Sequence, residues 1–179
     1  KSIDNINCVV FLAEIVGDPS VKAKPLIALK TNFLALNSMA SLCANFGISR
    51  FIYTSSCSVY GYTKDDKHLL NEESFVNPQS YYARIKLFSE NSLLNIRNKN
   101  FNPTILRLGT VFGQSYRQRY DLVVNTFCKA AHVEKKISVF GGDQWRPNIH
   151  VTDVSRAIIH IIGDPGLEPF RIEKSGNLE

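Results

Sequence analysis

The fold is decided by a short apolar run that ends in serines, Phe51-Ile52-Tyr53-Thr54-Ser55-Ser56-Cys57-Ser58-Val59-Tyr60-Gly61, together with a later stretch, Tyr82-Ala83-Arg84-Ile85-Lys86. The first run predicts a buried strand over Phe51–Tyr53 that ends in a polar turn. The second stretch lies in a helix predicted from Ser80 to about Arg97. A strand followed by a helix is the repeating unit of a parallel α/β sheet.

The same alternation continues on both sides of these two stretches. Ile6 to Ala13 is a continuous apolar run, which is typical of a parallel strand buried on both faces. Val21 to Phe46 carries apolar residues at helical spacing and ends before Gly47. Two more strands and two more helices are predicted at Pro103–Leu108, Ile137–Phe140, Asp121–Lys135 and Thr152–Ile162. The chain therefore predicts an α/β, doubly wound parallel sheet (Rossmann-like), whose ligands lie at the carboxyl ends of the strands.

The spacing of Tyr82 and Lys86 indicates proton-transfer chemistry. Residues four apart share one face of a helix, and a nearby ammonium favours the phenolate of a tyrosine whose ordinary pKa of about 10 makes it a poor base. Ser56, at a strand end, could hold the substrate oxygen whose proton Tyr82 takes, with Ser58 as the alternative. Tyr81 competes as the base but has no lysine four residues on, so packing suits it better. A Tyr-Lys pair alone is more often a half-exposed helix pair.

The order of several landmarks resembles the extended short-chain dehydrogenase/reductase family, in its branch of NAD-dependent nucleotide-sugar epimerases and dehydratases. These landmarks are Ser56, Val59-Tyr60-Gly61, Pro78, Tyr82, Lys86 and Glu90. Three longer segments agree with them: Val9–Ala13 is similar to the family's fourth strand, Leu106–Gly113 to its sixth strand and loop, and Arg146–Val154 to the segment with the diphosphate-binding arginine. The resemblance covers nearly the whole chain, from about Val9 to Ile162.

This resemblance implies a set of site residues. The implied catalytic residues are Ser56, Tyr82 and Lys86. An NAD cofactor, with NADP as the alternative, is implied at Leu12, Ala13, Asn32, Ser55, Tyr82, Lys86 and Leu108, although Asn32 falls at a structural position of the family. A nucleotide-diphosphate sugar is implied at Ser56, Thr110, Asn125 and Arg146. No metal is expected. Without the resemblance, Arg146 could instead form a surface ion pair, and Asn125 could be an ordinary polar residue of a helix.

The implied reaction is epimerisation through a transient keto-sugar. Tyr82 removes the proton of a sugar hydroxyl while hydride leaves the same carbon, and an epimerase then returns hydride to the other face of the sugar. A keto-sugar reductase or a dehydratase on the same scaffold is the alternative. Cys57 and Ser58 stand where the dehydratase branch has an Asp-Glu pair, which disfavours 4,6-dehydration. A relative that binds nucleotide without catalysis is also conceivable, but the intact set Ser56, Tyr82 and Lys86 argues against it.

The sequence is expected to be an internal piece of a longer protein. The family opens with a Gly-x-x-Gly-x-x-Gly turn that holds a pyrophosphate, whereas the first two glycines here, Gly17 and Gly47, stand alone. Residues 1–113 are expected to be the C-terminal part of an NAD-binding domain, and 114–179 a mixed segment contributing to the sheet and to a substrate-binding lobe. The full-length protein is expected to be a homodimer.

Composition fits a cytoplasmic enzyme. Cysteines 8, 43, 57 and 128 are scattered, without the spacing of a zinc site or a disulfide framework. The longest apolar stretch, Cys8 to Val16, is interrupted by Glu14 and is shorter than the roughly 20 residues that span a bilayer. Residues 84–136 hold ten of the basic residues against three acidic ones, but no nucleic-acid-binding motif accompanies them. We therefore expect neither a membrane nor a nucleic acid as partner.

Overall fold

A computed structural model describes residues 6–62, 69–142 and 145–163, together with the backbone of 172–174. Its centre is a four-stranded parallel sheet in the order β1, β2, β3, β6, formed by β1 (Cys8–Phe11), β2 (Arg50–Ser56), β3 (Asn102–Leu108) and β6 (Ile172–Lys174). A second, two-stranded parallel sheet pairs β4 (Thr110–Phe112) with β5 (Asn148–His150). The prediction of a parallel, doubly wound α/β sheet is confirmed.

Helices connect the strands, as parallel pairing requires. Between β1 and β2 the chain forms α1 (Asp18–Ala23), α2 (Pro25–Ala28), a π-helical segment (Leu29–Leu34) and α3 (Ala35–Asn45). A 3₁₀ turn (Cys57–Tyr60) follows β2, and α4 (Tyr81–Asn95) precedes β3. The later helices are α5 (Val123–Val133) and α6 (Val151–Gly163).

Both faces of the sheet are covered, which explains the continuous apolar runs in its strands. On one face, Phe51 and Tyr53 of β2 pack with the side chains of α3 and α4, among them Leu36 and Leu93. On the other face, the intervening Ile52 packs with Leu106 of β3 and Ile161 of α6. The sheet is therefore the middle layer of three, and its carboxyl edge is left for the site.

One stretch, Pro25–Asn45, has the length and composition that could cross a membrane, with 21 residues and a mean hydropathy of 1.3. Length and composition alone are a weak indication, because a core helix of a soluble protein has the same character. Leu36, Ala40 and Cys43 of this stretch are buried in the cluster that covers the sheet. We therefore assign it to the helical layer of the fold.

Two predicted elements are wrong in detail. Ile137–Phe140 is not a strand: no strand among the described residues pairs with it, and Val139 and Phe140 are 61% and 89% exposed. The helix predicted over Val21–Phe46 is interrupted at Lys24, where Pro25 starts a new turn, and includes a π-helical segment. The proposed division at residues 113 and 114 stays a prediction; β4 and β5, which pair with each other, come from its two sides.

The start of α4 is fixed against the end of β2. Ser80 caps the helix by accepting a hydrogen bond from the Ala83 amide at 3.1 Å. Gly61 has a φ of 71°, and a Cβ there would lie 2.0 Å from the Asn77 carbonyl oxygen. Only glycine lets the loop that leads to α4 approach so closely. The loop is also held by the Asn77 amide, which donates to the Val59 carbonyl at 3.0 Å.

Leu93→Ala should lower the free energy of unfolding of the full-length protein by about 2–5 kcal/mol, because Leu93 is fully buried between α4 and the sheet and its truncation leaves a cavity. Leu69→Ala is the matched control: it removes the same atoms from a side chain that is 88% exposed, and should change stability by less than about 0.5 kcal/mol. Urea denaturation measures both. Equal losses for the two variants would contradict the assigned core.

Candidate active site

Ser56 lies at the carboxyl edge of the sheet. It ends β2, where it stands opposite Leu108 of β3, and its Oγ accepts a hydrogen bond from the Ser58 amide at 3.2 Å. That bond caps the 3₁₀ turn that follows. The Ser56 side chain also lowers the pKa of the Tyr82 phenol, against the larger, opposing effect of burial. The electrostatic influence of the strand-end serine on the helix tyrosine agrees with their predicted partnership, which stays a prediction.

Tyr82 and Lys86 lie one turn apart on α4. The Lys86 ammonium is 5.7 Å from the centre of the Tyr82 ring and 4.7 Å from that of Tyr53. It donates a hydrogen bond to the Thr54 carbonyl of β2. Lys86 is only 1% exposed, so its charge lies in a nearly dry space between α4 and β2.

Glu14 is the ion-pair partner of Lys86, and sequence reasoning missed it. Its side chain is 2% exposed, its Oε2 accepts a hydrogen bond from the Lys86 ammonium, and its Oε1 accepts one from the Tyr53 hydroxyl at 2.9 Å. The available signal was a carboxylate inside the apolar run Cys8–Val16, where an acidic side chain is costly unless it is paired.

The electrostatics of this pair change the expectation for Tyr82. Burial raises the pKa of the Tyr82 phenol, the Glu14 carboxylate raises it further, and the polar Ser56 side chain opposes the shift. Burial also raises the pKa of the Glu14 carboxyl and lowers that of the Lys86 ammonium, while their contact opposes both shifts. The Lys86 ammonium thus contacts a carboxylate as well as facing the Tyr82 ring, and burial dominates the pKa of the phenol.

The residues predicted to contact the cofactor lie in two environments. Leu12 and Ala13 follow β1 at the carboxyl edge and are exposed, Leu12 by 60%, and Leu108 ends β3 at the same edge. Asn32 is fully buried: its amide accepts from the Ile15 N–H and donates to the Ile15 carbonyl, both at 2.8 Å. Asn32 therefore holds the loop after β1 rather than facing the edge.

Ser55 belongs to a second buried ion pair. Its hydroxyl donates to Glu90 Oε1 at 2.5 Å, and the Arg107 guanidinium donates to both oxygens of Glu90, at 2.7 Å from Nη2 to Oε2 and 3.1 Å from Nε to each oxygen. Glu90 lies on α4, one turn after Lys86. Two adjacent turns of the helix are thus tied by buried charges to the strands beneath them.

The predicted substrate residues lie on the segments after β3. Thr110 pairs with Asn148, and its amide donates to the Pro147 carbonyl at 2.8 Å, which brings the neighbouring Arg146 to the same edge. The charge of Arg146 lowers the pKa of the Cys57 thiol against the larger effect of burial, so Arg146 lies near the turn after Ser56. Asn125 is buried, and its amide donates to the Arg119 carbonyl at 2.9 Å.

Arg119 is a further cation at this edge. Its Nη2 pairs with Asp121 at 2.5 Å, and a Cβ added to Gly17 would lie 3.1 Å from that nitrogen. Its charge also interacts with Tyr82. Arg119 therefore lies by the loop after β1, at Gly17, and its charge reaches the phenol of α4.

Within the described ranges, no group of three or more His, Cys, Asp or Glu side chains could hold a metal ion. The groups gathered here are hydroxyls, an ammonium and guanidinium cations at the carboxyl edge of a doubly wound sheet. This arrangement can transfer a proton at a hydroxyl-bearing carbon and bind an anionic ligand. The fold is a doubly wound α/β sheet with these groups at its carboxyl edge.

Comparison with known proteins gives the family. The model of the NAD dependent epimerase/dehydratase family matches residues 1–170, and the chain belongs to this family. An uncharacterized UDP-glucose epimerase of Bacillus subtilis (strain 168), YtcB, is 30% identical over 139 residues, which are 76% of this chain and 42% of that protein. The resemblance inferred from the sequence is confirmed.

Two solved structures share the fold. MoeE5 in complex with UDP-glucuronic acid and NAD has a TM-score of 0.83 and 27% identity, covering 96% of this chain and 57% of that one. UDP-N-acetylglucosamine 4-epimerase from Methanobrevibacter ruminantium M1, in complex with UDP-N-acetylmuramic acid, has a TM-score of 0.76 and 28% identity over 88% and 52%. The chain therefore spans about half the length of these relatives.

Proposed function

We propose that this chain is the part of an NAD-dependent nucleotide-sugar epimerase that carries the proton-transfer groups. The observation that carries the proposal is the placement of the Lys86 ammonium 5.7 Å from the Tyr82 ring on α4, with Ser56 at the end of the parallel strand β2 influencing the pKa of the Tyr82 phenol. The relative named a UDP-glucose epimerase and the solved 4-epimerase support the reaction type. The MoeE5 complex, which contains NAD and a UDP-sugar, supports the cofactor and the substrate class.

The residues present fit the nicotinamide half of an NAD molecule. Leu12 and Ala13 give an exposed, uncharged surface at a strand end, where doubly wound sheets bind nucleotides. Tyr82 and Lys86 lie on α4. These residues, with Leu108, would hold the group, while Asn32 and Ser55 support the loop and the strand. A bound nicotinamide supplies the acceptor and donor of hydride.

The chain's own residues account for the proton. Ser56 holds a sugar hydroxyl by hydrogen bonding, and Tyr82 takes its proton as the carbon is oxidised and returns it on reduction. Burial raises the pKa of the phenol, so the phenolate needs a charged Lys86 at the moment of transfer. Cys57 and Ser58 offer no carboxylate for eliminating water, which favours epimerisation over 4,6-dehydration. A keto-sugar reductase remains the alternative and would oxidise its nicotinamide stoichiometrically.

Tyr82→Phe in the full-length protein should lower kcat by at least about a hundredfold while leaving nucleotide-sugar binding nearly unchanged, because the ring stays and only the proton carrier is lost. Turnover assays and calorimetric binding of a UDP-sugar measure the two effects. Tyr81→Phe, which removes the neighbouring hydroxyl, is the control and should keep most of the activity. If Tyr82→Phe retains more than about a tenth of the wild-type kcat, another group is the base.

We further propose that Arg146 binds the diphosphate of the nucleotide sugar. The parallel pairing of Thr110 with Asn148 brings the preceding Arg146 to the carboxyl edge, and its charge acts on Cys57 beside Ser56. A guanidinium suits this role because its planar fork matches phosphate oxygens. Thr110 and Asn125 complete the proposed substrate contacts, Asn125 by holding the segment around Arg119.

Arg146→Ala should raise KM for the nucleotide sugar by about 10- to 100-fold with a smaller change in kcat, and Arg146→Lys should fall between it and the wild type. Arg156→Ala is the control, because Arg156 forms a surface pair with Asp153 at 3.6 Å and is 74% exposed. Steady-state kinetics at two salt concentrations measure all three variants. An unchanged KM in Arg146→Ala would remove Arg146 from the site.

We propose a homodimer for the full-length protein, formed through the outer surface of the helical layer. Met39 and Leu42 on α3 and Phe46 directly after it follow i, i+3, i+7 spacing and are 41–62% exposed. Phe88 on the neighbouring α4 is 61% exposed. Exposed apolar side chains on adjacent helices favour association. The proposed partner is a second copy of this chain, because a two-fold axis places the same helical face of each copy in contact.

Phe46→Glu with Phe88→Glu should weaken dimerisation of the full-length protein at least tenfold (about 1.4 kcal/mol), because two charges would be buried in an apolar contact. Sedimentation equilibrium measures the association. Phe75→Glu, on an exposed loop residue, is the control and should leave it unchanged. A monomeric wild-type protein would contradict the proposed dimer.

A cytoplasmic location is proposed on the chemistry of the cysteines. All four are free thiols, and Cys43 is buried in the core. Such thiols persist in a reducing compartment. We propose no membrane or nucleic-acid partner, since the helical stretch of membrane-like composition packs on the sheet and the proposed anion contacts converge on the site.

A further inference from the structure

The Glu14 carboxylate and the Lys86 ammonium form an ion pair in which both side chains are buried. Each side chain is 2% exposed. Glu14 is held in turn by the Tyr53 hydroxyl at 2.9 Å, and Asn32 fixes the next residue, Ile15, through both main-chain groups. Residues of α4, β2 and the π-helical segment thus hold the carboxylate and its loop in place.

A buried ammonium needs such a partner to stay charged. Desolvation alone disfavours the protonated amine, by up to several pH units at a fully buried site. The other contacts of Lys86 are the Thr54 carbonyl and the faces of Tyr53 and Tyr82. These are dipoles and ring quadrupoles, weaker than a full negative charge at hydrogen-bonding distance.

We propose that Glu14 is the counter-ion of Lys86, a positioning residue that keeps the ammonium charged and aimed at the Tyr82 ring. It acts through Lys86 and not by touching the substrate. Its catalytic consequence rests on the proposed function, since only a Tyr82 base needs that charge. The ion pair and its effect on the titration of Lys86 do not depend on any reaction.

Several other charged or titratable groups face this pair and belong in the prediction. Glu90, on the same helix, also favours the charged amine. Around Tyr82 the electrostatic neighbours come from the loop after β1, from α1, from the 3₁₀ turn and from the loop after β4; they are Glu14, Asp18, Cys57 and Arg119. Glu14 forms a direct ion pair with Lys86. Removal of the Glu14 charge should therefore change the pKa of Lys86 more than removal of the Glu90 charge.

The test is the titration of Lys86 in the full-length protein carrying ¹³Cε-labelled lysine, followed by NMR, with Lys86→Met used to assign the signal. In Glu14→Gln the pKa of Lys86 should fall by at least about one pH unit, because desolvation is then opposed only by dipoles and by the charge of Glu90. Glu14→Asp should retain most of the wild-type value. Glu73→Gln, on an exposed loop, should leave it unchanged.

Tyr53→Phe is a milder variant that keeps the ring and removes only the hydroxyl donated to Glu14, so a smaller fall in the same direction is expected. It also serves if Glu14→Gln does not fold. The proposal is overturned if Lys86 titrates alike in the wild type and Glu14→Gln. It is equally overturned if Lys86 is already neutral at pH 7 in the wild type, a result that needs no variant.

Activity gives a second, separable readout. In Glu14→Gln the alkaline limb of the kcat profile should move to lower pH, with recovery in Glu14→Asp, whereas a merely structural role would lower kcat without moving the limb. A wild-type protein that turns over no nucleotide sugar would count against the proposed function. The lysine titration would still decide the role of Glu14.

Discussion

The site depends on one constraint: a positive charge on α4 lies in a space that water hardly reaches. Lys86 is 1% exposed, and an ammonium there is stable only with a negative partner and good geometry. The loop after β1 supplies that partner as Glu14, and Asn32 locks the loop. The position of α4, the path of the chain leaving β1 and the orientation of the Tyr53 hydroxyl all follow from satisfying this charge.

The second buried pair strengthens the same constraint one turn further along α4. Glu90 binds Arg107 of β3 through three hydrogen bonds and accepts another from Ser55 of β2. Buried ion pairs contribute little net stability, because desolvation offsets their attraction. Their geometry nevertheless penalises any shift of the helix, since a rotation by one residue would separate both pairs. We infer that α4 is held in register mainly by charge and Tyr82 thereby kept beside Ser56.

Much of this arrangement could be predicted from sequence, because it is local or periodic. Continuous apolar runs gave the parallel strands, and the i, i+4 spacing placed Tyr82 and Lys86 on one face of a helix. The strand predicted at Ile137–Phe140 is wrong because an apolar run forms a strand only beside a partner strand. Periodicity does not reveal which segments become partners. Glu14 was missed for a related reason. Its role depends on contact with Lys86, which lies 72 residues away in the chain.

The pairing of Glu14 with Lys86 also bears on how the proton is handled. A phenol near a lone ammonium would lose its proton readily, whereas a phenol near a neutralised ion pair keeps it, and burial raises the pKa of Tyr82 in the latter setting. The base is therefore in its protonated form in the chain as described. Anything that brings another positive charge close to the phenol would favour the phenolate. The guanidinium of Arg119, whose charge interacts with Tyr82, is one such positive charge.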